Sequence, residues 1–337
     1  MNKILYALLC TCFCVPVTRV LAQDPHFSQY FSSPMTMNPA FAGRMVDDWR
    51  GGINMRSQWW GQAIKPYYTV TAAVEKKIAM GADNPSYWGL GGMVVSDQSN
   101  GGILKNNYFS LTAAYHIALD GRGRHMLGAG LMGTYANRIL DANKFLFQSQ
   151  LGSMGFQRST PANDGIAIQK NNYFDISAGL YYSYTGEKSG FAAGGALFHA
   201  ARPKEGTHEN TTYNMPRKYS ANASYWFKTG VANEMHLSGF AEFQGGNSIY
   251  TLGGVYKIGI ADELLRSVNV GVFKRFGDAW YPYMALEAQS WLAGFTYDFV
   301  RSDVGKYASV QSMELSFVWK MGSKNTGRQA GTGIVAY

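Results

Sequence analysis

The sequence predicts an all-β protein, a transmembrane antiparallel β-barrel of about 14 strands with a short periplasmic or lumenal segment ahead of the first strand. Three observations lead there. Hydrophobic residues make up 46% of the 337 and aromatics 15%, yet only 15% are charged, with 39 Gly and 22 Tyr. Soluble domains carry roughly 25% charge. Apolar residues are too plentiful for disorder. The mean hydropathy is -0.17, and after the first two dozen residues no apolar run approaches the roughly 18 that a spanning helix needs. The second observation is strict alternation of apolar and polar residues. The third is the spacing of these alternating segments, joined by links that are short and long in turn.

Alternation is clearest in three segments. In Tyr108 to Leu119, one face is Phe109, Leu111, Ala113, Tyr115, Ile117 and Leu119, and the other is Tyr108, Ser110, Thr112, Ala114, His116 and Ala118. In the second, Phe174, Ile176, Ala178, Leu180 and Tyr182 oppose Tyr173, Asp175, Ser177, Gly179 and Tyr181. Near the C-terminus Met313, Leu315, Phe317 and Trp319 oppose Glu314, Ser316, Val318 and Lys320. A slip of one residue would turn every side chain to the wrong face, and a Lys at the bilayer midplane costs about 2–4 kcal/mol. Register is thereby specified. A soluble sandwich or propeller also alternates, but its outward face carries charge. Here the polar face is mostly Ser, Thr, Gly, Asn and Tyr, which favours the barrel.

Such segments fall at Trp49–Gln58, Tyr67–Ile78, Tyr87–Asp97, Asn106–Leu119, His125–Ile139, Asn172–Tyr184, Gly190–Ala201, Lys218–Phe227, Glu234–Gln244, Ile249–Gly259, Ser267–Lys274, Tyr281–Gln289, Trp291–Phe299 and Gln311–Lys320. Each is about ten residues, the length of a tilted membrane strand. Links after even-numbered strands are mostly short, and the long ones, 140–171 and 202–217, follow odd-numbered strands. Outer-membrane barrels have short periplasmic turns and longer outside loops, which puts both termini in the periplasm. The 79–86 turn is long for its side, and 245–248 short for its side. Trp and Tyr near segment ends, such as Trp49, Trp88, Trp226, Trp280 and Trp319, suit interfacial girdles or lumen packing.

Residues 1–22 read as a secretory signal peptide: Lys3, an apolar core from Ile4 to Val15, and a small-residue cleavage site ending at Ala22. Cys10, Cys12 and Cys14 all lie within it, so the mature chain has no cysteine for disulfides, thiol catalysis or Cys-ligated zinc. Cys10 sits mid-core behind Leu9, a poor lipoprotein site. Removing Lys3 and Arg19 from 30 basic residues leaves 28 against 22 acidic. The basic residues are scattered, which excludes a nucleic-acid face and suits a surface beside anionic lipid. Residues 23–48 form an aromatic, Pro-stiffened segment without a regular period, read as a lumen plug or docking strip or, equally, as an ordinary lead-in that packs against the barrel base. Residues 49–321 form the barrel, and 322–337 a flexible periplasmic tail rich in Gly, Thr, Lys and Arg.

Candidate chemical sites are weak. The six His have neither helical metal spacing nor a Cys partner. No Gly-x-Ser-x-Gly elbow occurs. Asp97 to Gly101 lacks the spaced acids and closing Glu of a calcium loop. Gly89 to Gly92 is not followed by the helix of a phosphate loop. No enzyme activity, cofactor or metal is expected.

One set of motifs stands apart. Asp24-Pro25-His26-Phe27-Ser28-Gln29-Tyr30, then Pro34, then Asn38-Pro39-Ala40-Phe41-Ala42-Gly43, resembles the N-terminal signature of the PorP/SprF family, outer-membrane proteins of the type IX secretion and gliding machinery of Bacteroidota. Arg56-Ser57-Gln58-Trp59 resembles that family's first strand, Gly89 to Gly102 its third strand and loop, and Leu140-Asp141 with Phe145 to Gln148 the start of its longest loop. Ala293 to Asp298 and Met313 to Ser316 resemble its last two strands. The spacer Phe31 to Met37 and Trp60 depart from the usual pattern, which leaves the subgroup open. The resemblance implies a non-enzymatic barrel whose partners are periplasmic ring and lipoprotein components or a large secreted adhesin. The family-motif and docking candidates are then Phe27, Gln29, Tyr30, Pro34, Asn38, Pro39, Ala42, Gly43, Arg56, Gln58 and Trp59. A porin or small-solute channel on the same fold is the alternative.

Overall fold

The computed structural model describes residues 24–60, 65–81, 84–99, 101–141, 144–157, 160, 170–205, 213–262, 264–301 and 311–322. The signal peptide, nearly all of the tail and much of both long links therefore lie outside the described residues.

The described chain is a closed antiparallel barrel of 14 strands. They are β1 (Trp49–Trp60), β2 (Tyr67–Ala79), β3 (Tyr87–Ser99), β4 (Leu104–Ala118), β5 (His125–Leu140), β6 (Lys170–Thr185), β7 (Ser189–Phe198), β8 (Lys218–Lys228), β9 (Glu234–Gln244), β10 (Asn247–Gly259), β11 (Ser267–Arg275), β12 (Ala279–Glu287), β13 (Trp291–Val300) and β14 (Gln311–Met321). Each pairs with its sequence neighbours. Closure comes from β1 against β14, from Trp49 opposite Met321 to Ser57 opposite Met313, with a bulge between Ser57 and Trp60. An open edge would leave backbone N–H and C=O groups bare in hydrocarbon, so closure is obligatory in lipid.

The two faces of each strand are sorted in the reverse of a soluble protein. Outward side chains such as Phe109, Leu111, Leu131, Phe174, Leu180, Leu315 and Phe317 are exposed, Leu111 by 76%. Inward Ser110, Thr112, His116, Asp175, Ser177 and Glu314 are buried, Glu314 to 1%. Among the described residues no helix is long and apolar enough to cross a membrane; the crossing elements are strands. Trp49, Trp88, Trp60 and Trp280 are exposed at strand ends, as a girdle requires. Trp226 pairs with buried His236 and stacks on it at 6.4 Å, so it packs the lumen.

Two local departures have physical causes. The link between β9 and β10 is only Gly245 and Gly246, with φ of 59° and 86°. Positive φ at both central positions matches the twist of flanking strands in a two-residue hairpin, which explains the short link on the long-link side. Strand β7 stops at Phe198 instead of running to Ala201. His199 turns to φ 56° and Arg202 to φ 49°, and the Ala200 N–H donates to the Ile176 carbonyl. The following link is pinned to the barrel wall by Arg138, which pairs with Glu205, itself bonded to Tyr213 at 2.9 Å.

The sorting gives a direct test. Leu131→Lys places a charge on the lipid face partway along β5 and is expected to cost about 2–4 kcal/mol. The measurement is the urea midpoint of barrel unfolding in lipid vesicles, compared with the parent.

Candidate functional site

A barrel of this strand number encloses more space than wall side chains alone fill. Residues 24–43 occupy it. The segment folds locally as short helical pieces: a 3-10 turn at Tyr30–Ser32, one α-turn at Pro34–Met37 and a second 3-10 turn at Pro39–Phe41. Pro34 and Pro39 each open a turn, where a missing N–H costs nothing and φ is already right. Asn38 caps the last piece, its Oδ1 accepting from the Ala40 N–H at 2.9 Å.

The wall holds this segment at three levels. At the long-link end Asp24 meets Lys218 Nζ at 3.0 Å and His199 Nε2 at 2.9 Å, and its backbone N–H donates to Gln244 Oε1 at 2.9 Å. Burial pushes the Asp24 carboxyl up, but Lys218 and His199 outweigh it and hold the group well below the usual carboxylate range. Burial likewise pushes His199 down, while Asp24 and Asp175 raise it to about 9. At neutral pH it is an imidazolium donating to both acids.

In the middle, Glu314 accepts the backbone N–H groups of Ser28 at 2.7 Å and Gln29 at 2.9 Å, and Asn54 Nδ2 at 2.7 Å. Gln29 Nε2 donates to the Glu314 carbonyl at 2.9 Å, and Ser316 donates to Gln29 Oε1 at 2.6 Å. Beside it, Asp298 pairs with Arg275 at 2.6 Å and Arg56 at 3.1 Å, and accepts the Ser28 hydroxyl at 2.7 Å. Arg56 also donates to the His26 carbonyl at 2.7 Å. Burial, then Arg56, Arg275 and Lys218, hold the His26 imidazole well below its ordinary range. Below these, Tyr30 stacks on Phe240 at 5.1 Å with its hydroxyl 2.7 Å from Ser238 Oγ, and Phe31 packs edge-on to Tyr283 at 5.0 Å. These rings form the core of the lumen with Phe273, Tyr281 and Leu292.

At the short-turn end Asn38 Nδ2 donates to the Leu180 carbonyl at 3.0 Å, and the Ala42 carbonyl lies 2.8 Å from His116 Nε2. The Gly43 N–H donates to Glu75 Oε2 at 3.0 Å, while Arg50 holds Glu75 at 2.7 Å. Gly43 has φ 72°, a left-handed conformation suited to Gly. The wall is cleared to admit the segment: a side-chain carbon at Gly89, Gly130 or Gly179 would run into the Ala42 carbonyl, the Pro39–Ala40 backbone or the Asn38 amide.

All of the sequence-derived candidates except Gln58 and Trp59 meet in this assembly. Phe27 and Tyr30 bury their rings, Gln29, Asn38, Ala42 and Gly43 make the polar contacts, Pro34 and Pro39 set the turns, and Arg56 clamps His26 and Asp298. Trp59 instead packs edge-on to Tyr67 at 5.1 Å near the end of β1, where Gln58 pairs with Tyr67. The wall's contribution was missed: Glu314, Asp298, Arg275, Glu75, His199 and Lys218. Charged residues at inward register positions of the strands, with His199 just past the end of β7, were the available signal. Among the described residues no group of three or more His, Cys, Asp or Glu is placed to hold a metal ion.

Two outcomes follow from this geometry. Glu314→Ala leaves two segment N–H groups without their acceptor and is expected to cost about 1–3 kcal/mol for each. Thiol labelling of a Ser32→Cys reporter should then accelerate by about a hundredfold or more, with the barrel still migrating as folded on unheated gels. The His199 contribution is full below its ordinary 6.5 and is lost as pH rises through about 9. A spin label at Pro25→Cys should therefore gain mobility across that window, and His199→Gln should remove the dependence.

The barrel resembles solved outer-membrane transporters. The toluene transporter TbuX of Ralstonia pickettii is 12% identical, with 86% of this chain and 93% of that one covered and a TM-score of 0.50. A FadL homologue of Pseudomonas aeruginosa gives 12%, 86%, 93% and 0.48. The toluene transporter TodX of Pseudomonas putida gives 8%, 90%, 98% and 0.48. At these identities the likeness concerns the fold alone. No curated protein matches significantly. The family model for the type IX secretion system membrane protein PorP/SprF matches residues 20–319, spanning the lumenal segment and nearly all of the barrel, and the chain belongs to that family.

Proposed function

We propose that the protein is a plugged outer-membrane barrel of the type IX secretion and gliding machinery that works without catalysis, through protein partners. The partners are periplasmic ring and lipoprotein components of the machinery, or a large surface adhesin that the barrel helps to secrete and hold. In this reading the end where Trp49 and Met321 pair faces the periplasm, and the links after β5 and β7 face outward toward cargo.

The observation that carries the reading is the filled lumen. Residues 27–43 are almost entirely buried and run from the long-link end to the short-turn end, with the wall acids Glu314 and Glu75 holding their backbone. A diffusion pore needs that space free. With the segment inside, the surfaces left to meet partners are the barrel ends and their links.

The rival reading is a porin or small-solute channel, and conductance across liposomes separates the two. The full chain should give negligible stable conductance, and deletion of residues 24–43 should open a large one. A large conductance in the full chain, unchanged by the deletion, overturns the plugged reading. Affinity capture from native membranes then sorts the partners. Ring lipoproteins point to a core secretion component, one large adhesin to a dedicated cargo partner, and recovery of neither overturns the partner role.

A further inference from the structure

Strand β6 outruns one of its neighbours. It pairs with β5 along nearly all its length, from Lys170 opposite Ile139 to Tyr184 opposite His125. Its pairing with β7 begins only at Ala178, opposite Leu197, and β7 stops at Phe198. Residues 170–177, about 26 Å of strand, therefore present an edge on that side.

The chain beyond Phe198 does not run along this edge. Among the described residues one main-chain bond reaches it, from the Ala200 N–H to the Ile176 carbonyl at 3.0 Å. The link then turns over the lumen mouth: Glu205 pairs with Arg138, and Met215 packs on Ala136 and Tyr173, both buried. In an antiparallel strand each residue directs its N–H and C=O to one side, and the side alternates. The Ile176 carbonyl faces away from β5, so the main-chain groups of Phe174 and Asn172 face away too. Hydrocarbon cannot border such an edge, which places this stretch beyond the bilayer core.

Two features select what can pair there. Phe174 rests on Tyr135 at 5.1 Å and is 77% exposed, so an apolar side chain beside it on an added strand would cover it. Among the described residues, the charges exposed around the edge are basic: Lys170, Arg202, Lys204 and Arg217. The acids nearby, Glu205 and Asp175, are buried against Arg138 and His199. A second copy does not fit. Two barrels in one bilayer are related by a two-fold along its normal. Their β6 strands then run the same way and cross at about 70–90°, twice the tilt of a barrel strand, and no ladder forms at that angle.

We infer that the β6 edge is a strand-addition site for an extended acidic segment of a partner protein outside the cell. The segment runs antiparallel to β6, in line with β7, and sets an apolar residue beside Phe174. The inference rests on the partner-dependent reading above and names the surface that the partner meets.

The test uses the full-length protein in detergent micelles and a short dye-labelled peptide that alternates Glu with Val or Phe. Its Val and Phe N–H groups face β6, because Phe174 pairs with one of them through main-chain bonds. Saturable binding is expected, at least about tenfold tighter than that of a peptide with Lys in place of Glu, or of one N-methylated at Val and Phe. Phe174→Pro removes an edge N–H without touching the β5 ladder, and should weaken binding to the same degree while the barrel still migrates as folded. Asn172→Pro serves the same end where Phe174→Pro does not fold. Equal binding of the acidic and basic peptides, binding that survives N-methylation or a folded proline variant, or no saturable binding overturns the site. Equal displacement of parent and N-methylated peptides by lipopolysaccharide assigns the basic rim to lipid and overturns it as well. A membrane-impermeant maleimide should label Lys204→Cys on intact cells. No labelling sinks the outward orientation and the site with it, whereas labelling without peptide binding sinks the site alone.

Discussion

The structure depends first on the absence of water around its middle. Hydrocarbon cannot hydrogen-bond a peptide group, so every strand must have a partner on both sides, and the sheet has to meet itself. That requirement is met where β1 pairs with β14. It also fixes the sorting of side chains. With lipid as one solvent, the apolar face turns outward, and the polar face turns into a space closed off by the wall. The lumen then becomes the molecule's interior, and the rules of buried polar groups apply there in full.

Those rules explain why the N-terminal segment and the wall are chemically matched. A carboxylate buried away from bulk water is costly unless it is paired or hydrogen-bonded. Glu314 meets this with two backbone N–H groups of the segment and the Asn54 amide, and Asp298 with two guanidinium groups and a segment hydroxyl. Glu75 combines the Arg50 pair with the Gly43 N–H. Removing the segment would strip partners from each of these acids at once. The charges therefore work as receptors for one particular strip of backbone, and the aromatic cluster around Tyr30 and Phe31 supplies the apolar half of the same contact.

Much of the architecture was legible in the sequence because a membrane strand writes its two solvents in alternate residues. The strands came out within a few residues, and the chief overrun, past Phe198, occurred where His199 takes a positive φ that alternation does not encode. The lumenal segment was readable as a unit from its Pro, Asn and aromatic residues, since those set local turns. Its place against the wall was less readable. Ser28 meets Glu314 and Asp24 meets Lys218 across most of the chain length, and no local pattern carries that pairing. Asp298 and Glu314 stood inside recognised strand motifs, yet single acids among apolar residues look the same whether they face a plug, a channel or a partner. Gln58 and Trp59 match the first-strand motif yet lie near the end of β1, away from the lumenal segment, because a motif match does not encode a residue's surroundings.

The order of the chain adds a constraint on assembly. The first residues of the described chain are held chiefly by late ones: Ser28 and Gln29 by β14, Ser28 again by Asp298 on β13, and the Tyr30 ring by Phe240 on β9 and Phe273 on β11. The same β14 closes the wall against β1. Contacts between such distant parts form late, since the loop entropy must be lost before they stabilise anything. Glu314 has its acceptors directed at the segment on one face of a strand whose backbone must zip to β1. A barrel that closed first would seal an unfilled lumen and leave Glu314 and Asp298 short of partners. Docking of the segment and closure of the sheet therefore draw on the same late strand, and a wall that closes without the lumenal strip keeps its backbone pairing but leaves Glu314 and Asp298 short of partners.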